Sequence, residues 1–408
     1  MAQLPLGDKA PTDGLLPATV ALAQDNSFHS YVHIPFCAVR CGYCDFNTYT
    51  ATELRGVSQR EFYTHLIAEI EFSQRVLADS GFTPQPLSSV FFGGGTPSQL
   101  PAAQLGEILA ALTSAFRIVP GAEVTTEANP NDMTPEFLAE LKSAGFTRVS
   151  FGMQSAVPSV LRVLDRVHNP EALPDVVSWA KAAGLQTSVD LIYGAPTETI
   201  DDWQTSIDAA LALQTDHISA YSLIVEPGTK MARQIASGEL PEPNEDEQAT
   251  KYEMADAAFA AAGLDWYELS NWSRSVQTRS EHNLSYWQGK NWWGYGPGAH
   301  SHVGGVRWWN QKHPASYVAP LSRGESPALG RETLTRETQL EERVLLEIRT
   351  REGLSVEVLE QLGVRNPKAI AGLIADGLID AKAAIGGVIK LTLNGRLLAD
   401  TVVRQLLV

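Results

Sequence analysis

All three cysteines of the 408-residue chain fall within eight positions, Cys37-Ala-Val-Arg-Cys41-Gly-Tyr-Cys44. Thiols used for general packing would be scattered. These are pooled between a strand-like run, Ser30 to Ile34, and a polar loop, so the fold must present them together at one strand end. An odd count argues against a disulfide framework. Structural zinc takes four nitrogen or sulfur ligands, and no fourth stands at the expected offset. Soft thiolates select iron–sulfur clusters, which usually take four cysteines. Three would leave one iron open to another ligand. A labile zinc or a redox thiol cluster is the plainer alternative.

Around this site the chain alternates in period. Strand-like runs are Ser30–Ile34, Ser88–Phe92, Glu123–Glu127, Arg148–Gly152, Thr187–Ile192 and His217–Leu223. Helix-period segments lie between them: Glu61–Ala78, Pro101–Phe116, Thr134–Ala144, Pro170–Ala183 and Asp201–Leu213. Thr134-Pro135 places Pro in a first helical turn, and Gly145 and Gly184 sit where helix C-caps belong. Six βα units in a row predict an α/β fold with a parallel sheet and right-handed crossovers. Six are too few to close an eight-fold barrel, so an open partial (β/α)6 barrel is expected, with its site at the C-terminal strand ends. A doubly wound sheet is the rival.

The remainder is read in segments. Residues 1–27, with Pro5, Pro11 and Pro17, are expected to form a loose tail, and 28–230 the barrel. A Pro- and acid-rich stretch within 231–246 reads as a linker. Residues 247–330 form an aromatic-rich region holding seven of the nine tryptophans. Residues 331–408 order as helix, helix, helix, two short strands around Gly386-Gly387 and a last helix, a C-terminal α+β region that looks like a winged helix. Acids and bases balance there, so packing is favoured over DNA binding. The net charge of −16 argues against nucleic acid as a partner, and excludes neither a peripheral membrane contact nor a protein partner. Clustered thiols without a signal-peptide layout point to a reducing, cytoplasmic compartment.

Single polar residues mark several strand ends: Glu127, Gln154 and Asp190, with Arg166 nearby as a fork for a carboxylate or a surface ion pair. Gly93-Gly94-Gly95-Thr96-Pro97 follows the second strand, where bare backbone can approach a ligand or simply make a tight turn.

Cys-x3-Cys-x2-Cys after a first strand resembles the signature of the radical S-adenosylmethionine (SAM) enzymes. In that family three cysteines hold a 4Fe–4S cluster, SAM chelates the fourth iron, and the reduced cluster cleaves SAM to a 5′-deoxyadenosyl radical. Further strings resemble one branch, the anaerobic coproporphyrinogen III oxidases and their HemW-type haem-chaperone relatives: Tyr31-Val-His33-Ile-Pro35-Phe36-Cys37, Gly93–Pro97, Glu127-Ala-Asn-Pro130, Gly152-Met-Gln-Ser155, Arg166 and Asp190–Pro196. The resemblance implies that Tyr31 sits by SAM and the cluster, and that Tyr43 lies against the adenine. It implies that Gly94, Gly95 and Thr96 hold the methionine end. Glu127, Gln154, Arg166 and Asp190 would line the nucleoside side or a second ligand site. No residue is assigned a catalytic role.

Two features separate the branches. The oxidase pattern has a further cysteine two residues after the third, where this chain has Phe46. The chain also carries His282-Asn283-Leu-Ser-Tyr286-Trp287, similar to the HNxxYW element of the chaperones. His282, Asn283, Tyr286 and Trp287 are therefore haem candidates, with His300 close behind and His302 beside it; a buried, hydrogen-bonded core histidine is the plainer reading of His282. The expected function is a radical-SAM-type haem chaperone that binds haem as cargo and passes it to an apo-haemoprotein, membrane respiratory enzymes being the acceptors the resemblance suggests. The alternative is oxidative decarboxylation of coproporphyrinogen III. A homodimer is left open.

Overall fold

The computed structural model describes residues 7–18, 27–83, 85–167 and 169–407. The strands of its large sheet are, in chain order, β1 (Asp8–Lys9), β2 (Phe28–Ile34), β3 (Leu87–Gly94), β4 (Ile118–Ala128), β5 (Arg148–Gln154), β6 (Gln186–Tyr193) and β7 (His217–Ser222). They continue as β8 (Asp265–Glu268), β9 (Asn271–Ser273), β10 (Asn291–Tyr295), β11 (His300–Val303), β12 (Val306–Asn310) and β13 (Ala328–Thr333). Helices α1 (Phe62–Asp79), α2 (Ala102–Phe116), α3 (Pro135–Ala144), α4 (Leu173–Ala182) and α5 (Ile200–Ala212) connect β2 to β7. The ends are written in local chemistry. Thr134 accepts from the Phe137 N–H at the start of α3, and Gly145 closes that helix at φ +107°. Thr199 and Asp202 form a capping box on α5.

The parallel strands run β2-β3-β4-β5-β6-β7 without reversal. A doubly wound sheet needs a point where strand order reverses, so the partial barrel is the architecture. Helices shield one face, and the other curves around a cavity.

The aromatic-rich region is built into the barrel sheet. Its strands extend the barrel sheet at both ends: β10 pairs parallel with β2 and carries β11, β12 and β13 outward, while β9 pairs antiparallel with β7. Trp272, Trp293, Tyr295 and Trp308 belong to the same apolar core as the barrel strands. Part of the expected tail is also built in, because β1 pairs with β13; residues 1–6 and 19–26 lie outside the described residues. The expected linker opens with α6 (Lys230–Ala236), anchored by buried Met231.

Residues from Leu340 to Leu406 enclose a second, smaller core. Helices α8 (Arg336–Glu347), α9 (Val356–Leu362) and α10 (Pro367–Ala375) match the expected three. Of the two short strands expected around Gly386-Gly387, the one after the glycines forms; the chain before them pairs back only at the Ile379–Leu391 antiparallel bridge. Asp380 caps a short helix, Ala381–Ile385, just before the glycines, and the two-residue strand after them, Val388–Ile389, pairs back to Leu354–Ser355. No helix among the described residues is long and apolar enough to cross a membrane.

Candidate functional site

A cavity of about 700 Å³ fills the barrel from the cysteine loop down to the HNxxYW element. That lies within the ordinary range of ligand pockets.

The cysteine loop leaves β2 and is pinned along its length. The Cys37 N–H donates to the Tyr49 carbonyl at 3.0 Å, Gly42 N–H to Leu164 at 3.2 Å, and Met231 N–H to Gly42 at 2.9 Å. All three thiols are free and half-buried at the cavity mouth. Thr96 Oγ1 lies 3.6 Å from Cys37 Sγ, and Arg166 Nη1 3.6 Å from Cys41 Sγ. Burial pushes the Cys37 and Cys44 thiols up; Cys44 and Cys41 add to it at Cys37, and Cys41 at Cys44. A bound cation reverses that balance. Three free thiols on one loop at a cavity mouth are the soft donor set that an iron–sulfur cluster takes.

The glycine turn is shaped by this loop. A Cβ on Gly95 would stand 2.6 Å from the Phe36 carbonyl, and one on Gly94, at φ +103°, 2.3 Å from the His33 ring. Only bare backbone allows the end of β3 to reach the loop, where Gly95 and Thr96 N–H groups donate to Ile34 and Phe36.

Beneath the mouth lies a polar layer. Glu127 faces the cavity with its pKa raised to about 8, through desolvation and then the charge of Asp190, against a donated Gly94 N–H. Asp190 is also raised by desolvation, and accepts from Ser150 Oγ at 3.0 Å. Gln154 ends β5 at φ +61°, a conformation L-residues seldom adopt; such strain gathers at functional sites. Arg166 is not a surface ion pair. Its guanidinium crosses Gly152, donating to that carbonyl at 3.1 Å, and its buried Nε has no protein partner. An unmet donor in a cavity fits an anionic ligand group such as a carboxylate. The cysteines, the bare turn and this donor together fit the cluster and SAM.

Sequence reading missed a relay behind the cysteines. Tyr31 OH lies 3.0 Å from His33 Nδ1, and His33 Nε2 lies 3.0 Å from the Asn47 carbonyl. Burial lowers the His33 pKa to about 4. The neutral ring donates from Nε2 to the carbonyl and accepts from Tyr31 at Nδ1. Period-2 alternation along β2 already placed His33 on the face of Tyr31; Asn47 had no comparable signal.

The haem candidates divide. Helix α7 (Glu281–Trp287) lies inside the barrel and floors the cavity. Glu123 holds its start, accepting from the Glu281 N–H at 2.6 Å. His282 stacks on Phe91 at 5.2 Å, its Nδ1 2.9 Å from Ser89 Oγ and its Nε2 2.8 Å from Tyr286 OH. Burial and His29 hold its pKa well below the usual value. Both ring nitrogens are thus engaged. Asn283 and Tyr286 line the cavity from below, whereas Trp287 donates toward Glu268. His300 is exposed on β11, outside the cavity. Phe46 stands at the cavity mouth, 57% exposed.

Residues 31–210 match the Radical SAM superfamily. The heme chaperone HemW of Mycobacterium tuberculosis is 46% identical over 381 residues, 93% of this chain and 95% of that one. The chain belongs to the HemW heme chaperone family of radical SAM proteins. HemW of Bacillus subtilis is 32% identical over 382 residues, 91% of this chain and 97% of that protein. Coproporphyrinogen III oxidase (HemN) from Escherichia coli superimposes with a TM-score of 0.78 at 24% identity, over 95% of this chain and 91% of that one, so the two share a fold. The resemblance read from the cysteine spacing and the strand-end residues is therefore the chain's own family, and that family implies a 4Fe–4S cluster and SAM.

Proposed function

We propose that this chain is a radical-SAM-type haem chaperone: it binds haem and hands it to an apo-haemoprotein, with respiratory enzymes at the membrane as the acceptor class. The observation that carries the reading is Phe46. It stands at the mouth of the cavity read here as the SAM site, where the oxidase pattern has a further cysteine, in a chain whose relatives across more than nine-tenths of its length are named heme chaperones.

Cys37, Cys41 and Cys44 would hold three irons of the cluster. When bound, cluster and SAM supply one-electron cleavage of SAM to a 5′-deoxyadenosyl radical. Arg166 Nε and the Gly94–Thr96 backbone suit the carboxylate and amino end of SAM, and Glu127, Gln154 and Asp190 suit hydroxyls and ring nitrogens of its nucleoside. Tyr31 and its His33 partner close the wall beside the cysteines, while α7 keeps bulk water out from below.

The test is transfer. Haem-loaded chain mixed with an apo-b-type haemoprotein should lose its haem spectrum as the acceptor gains one, faster than from free haem with albumin as the control donor. Absence of transfer above that control would reject the chaperone reading.

A further inference from the structure

The floor histidine is poorly placed to take an iron. The described histidines can be sorted by what their rings already do. His29, His33, His217 and His282 are buried with hydrogen-bonded rings. His313 caps a helix, accepting from the Ala315 N–H. His302 is engaged at Nδ1 with the Lys290 carbonyl, and its Nε2 is buried without a partner. His65 packs on Phe62 in the helix layer. His300 alone is an exposed residue whose ring has no hydrogen bond among the described residues and stands against a tryptophan.

That surround follows from register. β10 to β13 carry the inner face of the barrel sheet out beyond Tyr31, through Gly294 opposite Tyr31, His302 opposite Trp292, His300 opposite Trp309, and Trp309 opposite Gly330. Trp309 lies flat on backbone: a Cβ on Gly330 would come within 2.5 Å of its ring, and one on Gly7 within 2.6 Å. His300 stacks against Trp309 with centroids 6.1 Å apart. Lys312 is exposed beside it, with no ion-pair partner among the described residues; partial burial of the ring, and then the charges of Lys312 and Arg307, lower the His300 pKa. That direction favours the neutral imidazole, the form that ligates iron.

We propose that the haem iron is bound by His300 on this open face of the sheet extension, with Trp309 against the macrocycle and Lys312 facing a propionate, so that cargo and SAM occupy separate sites. The inference rests on the haem-chaperone reading. An open face suits cargo that must leave, since no barrel has to unfold to release it.

The experiment uses full-length, cluster-reconstituted chain titrated with haem and followed by absorbance. His300→Ala should weaken binding about tenfold or more and remove the histidine-ligated spectrum. His300→Met should retain haem with a spectrum shifted to thioether ligation. His65→Ala is the matched control and should bind as the parent. Iron content and melting temperature of each variant report folding. Unchanged affinity and spectrum in His300→Ala would overturn the proposal, as would their loss in His282→Ala alone with cluster content intact. Failure of the parent chain to bind haem would instead reject the chaperone reading on which the proposal stands.

Discussion

Glu127 and Asp190 are two carboxyls held in one cavity; desolvation raises both, and the charge of Asp190 makes Glu127 harder still to ionise. The unfolded chain ionises Glu127 near its ordinary pKa, whereas the folded chain holds the proton to about pH 8. Its contribution is therefore present at low pH and lost as pH rises through that window. Glu127→Gln should raise the melting temperature of the ligand-free chain at pH 8 more than at pH 5, a gain of about 1–2 kcal/mol after screening by cavity water. An equal gain at both pH values would contradict the assignment. The cysteines were legible because their spacing is chemical. Arg166 was half legible: its side chain could be read as a fork, but whether it met solvent or Cys41 depended on the turn after β5. His282 shows the opposite limit. Its motif is plain in sequence, yet only packing reveals that Ser89 and Tyr286 already occupy its ring.

At the scale of elements, the cysteine loop is tied to the sheet extension. Asn47 Nδ2 donates to the Pro297 carbonyl at 2.9 Å and the Lys312 carbonyl at 2.7 Å. Asn47→Ala should cost about 1–2 kcal/mol and lower the iron bound per chain after anaerobic reconstitution; unchanged iron would show that the loop holds itself. Glu69 of α1 does comparable work on the other side of that segment, accepting from Gly296 N–H, Asn310 Nδ2 and Tyr317 OH at 2.7, 2.7 and 2.5 Å. Glu69→Ala strands three buried donors and should destabilise the chain by about 3 kcal/mol or more, read as a fall in melting temperature. The six βα units were legible because long segments repeat one period. Strands β10 to β13 were not, since they are four to six residues long and dense in tryptophan and glycine. β2, the partner that ties β10 to the barrel, lies over 250 residues earlier in the chain.

Across the whole molecule, the C-terminal module keeps its own core and is latched to the barrel side by Arg396. That guanidinium binds both Asp256 oxygens at 2.8 Å and lies 4.4 Å from the Trp266 ring. Arg396→Ala should weaken the latch by about 2–3 kcal/mol and split thermal unfolding into two steps; a single unchanged transition would mean the cores are coupled elsewhere. The balanced charge of the module pointed away from DNA, but its joint could not be read, because a bidentate pair depends on two surfaces meeting. The central claim is that this barrel serves haem delivery. It is tested most directly with anaerobically reconstituted chain, SAM and a reductant, offered coproporphyrinogen III in one cell and haem in another. Stoichiometric haem binding without decarboxylation is the result the account predicts. Turnover of coproporphyrinogen III would contradict it, and would show that Phe46 can replace the oxidase's further cysteine.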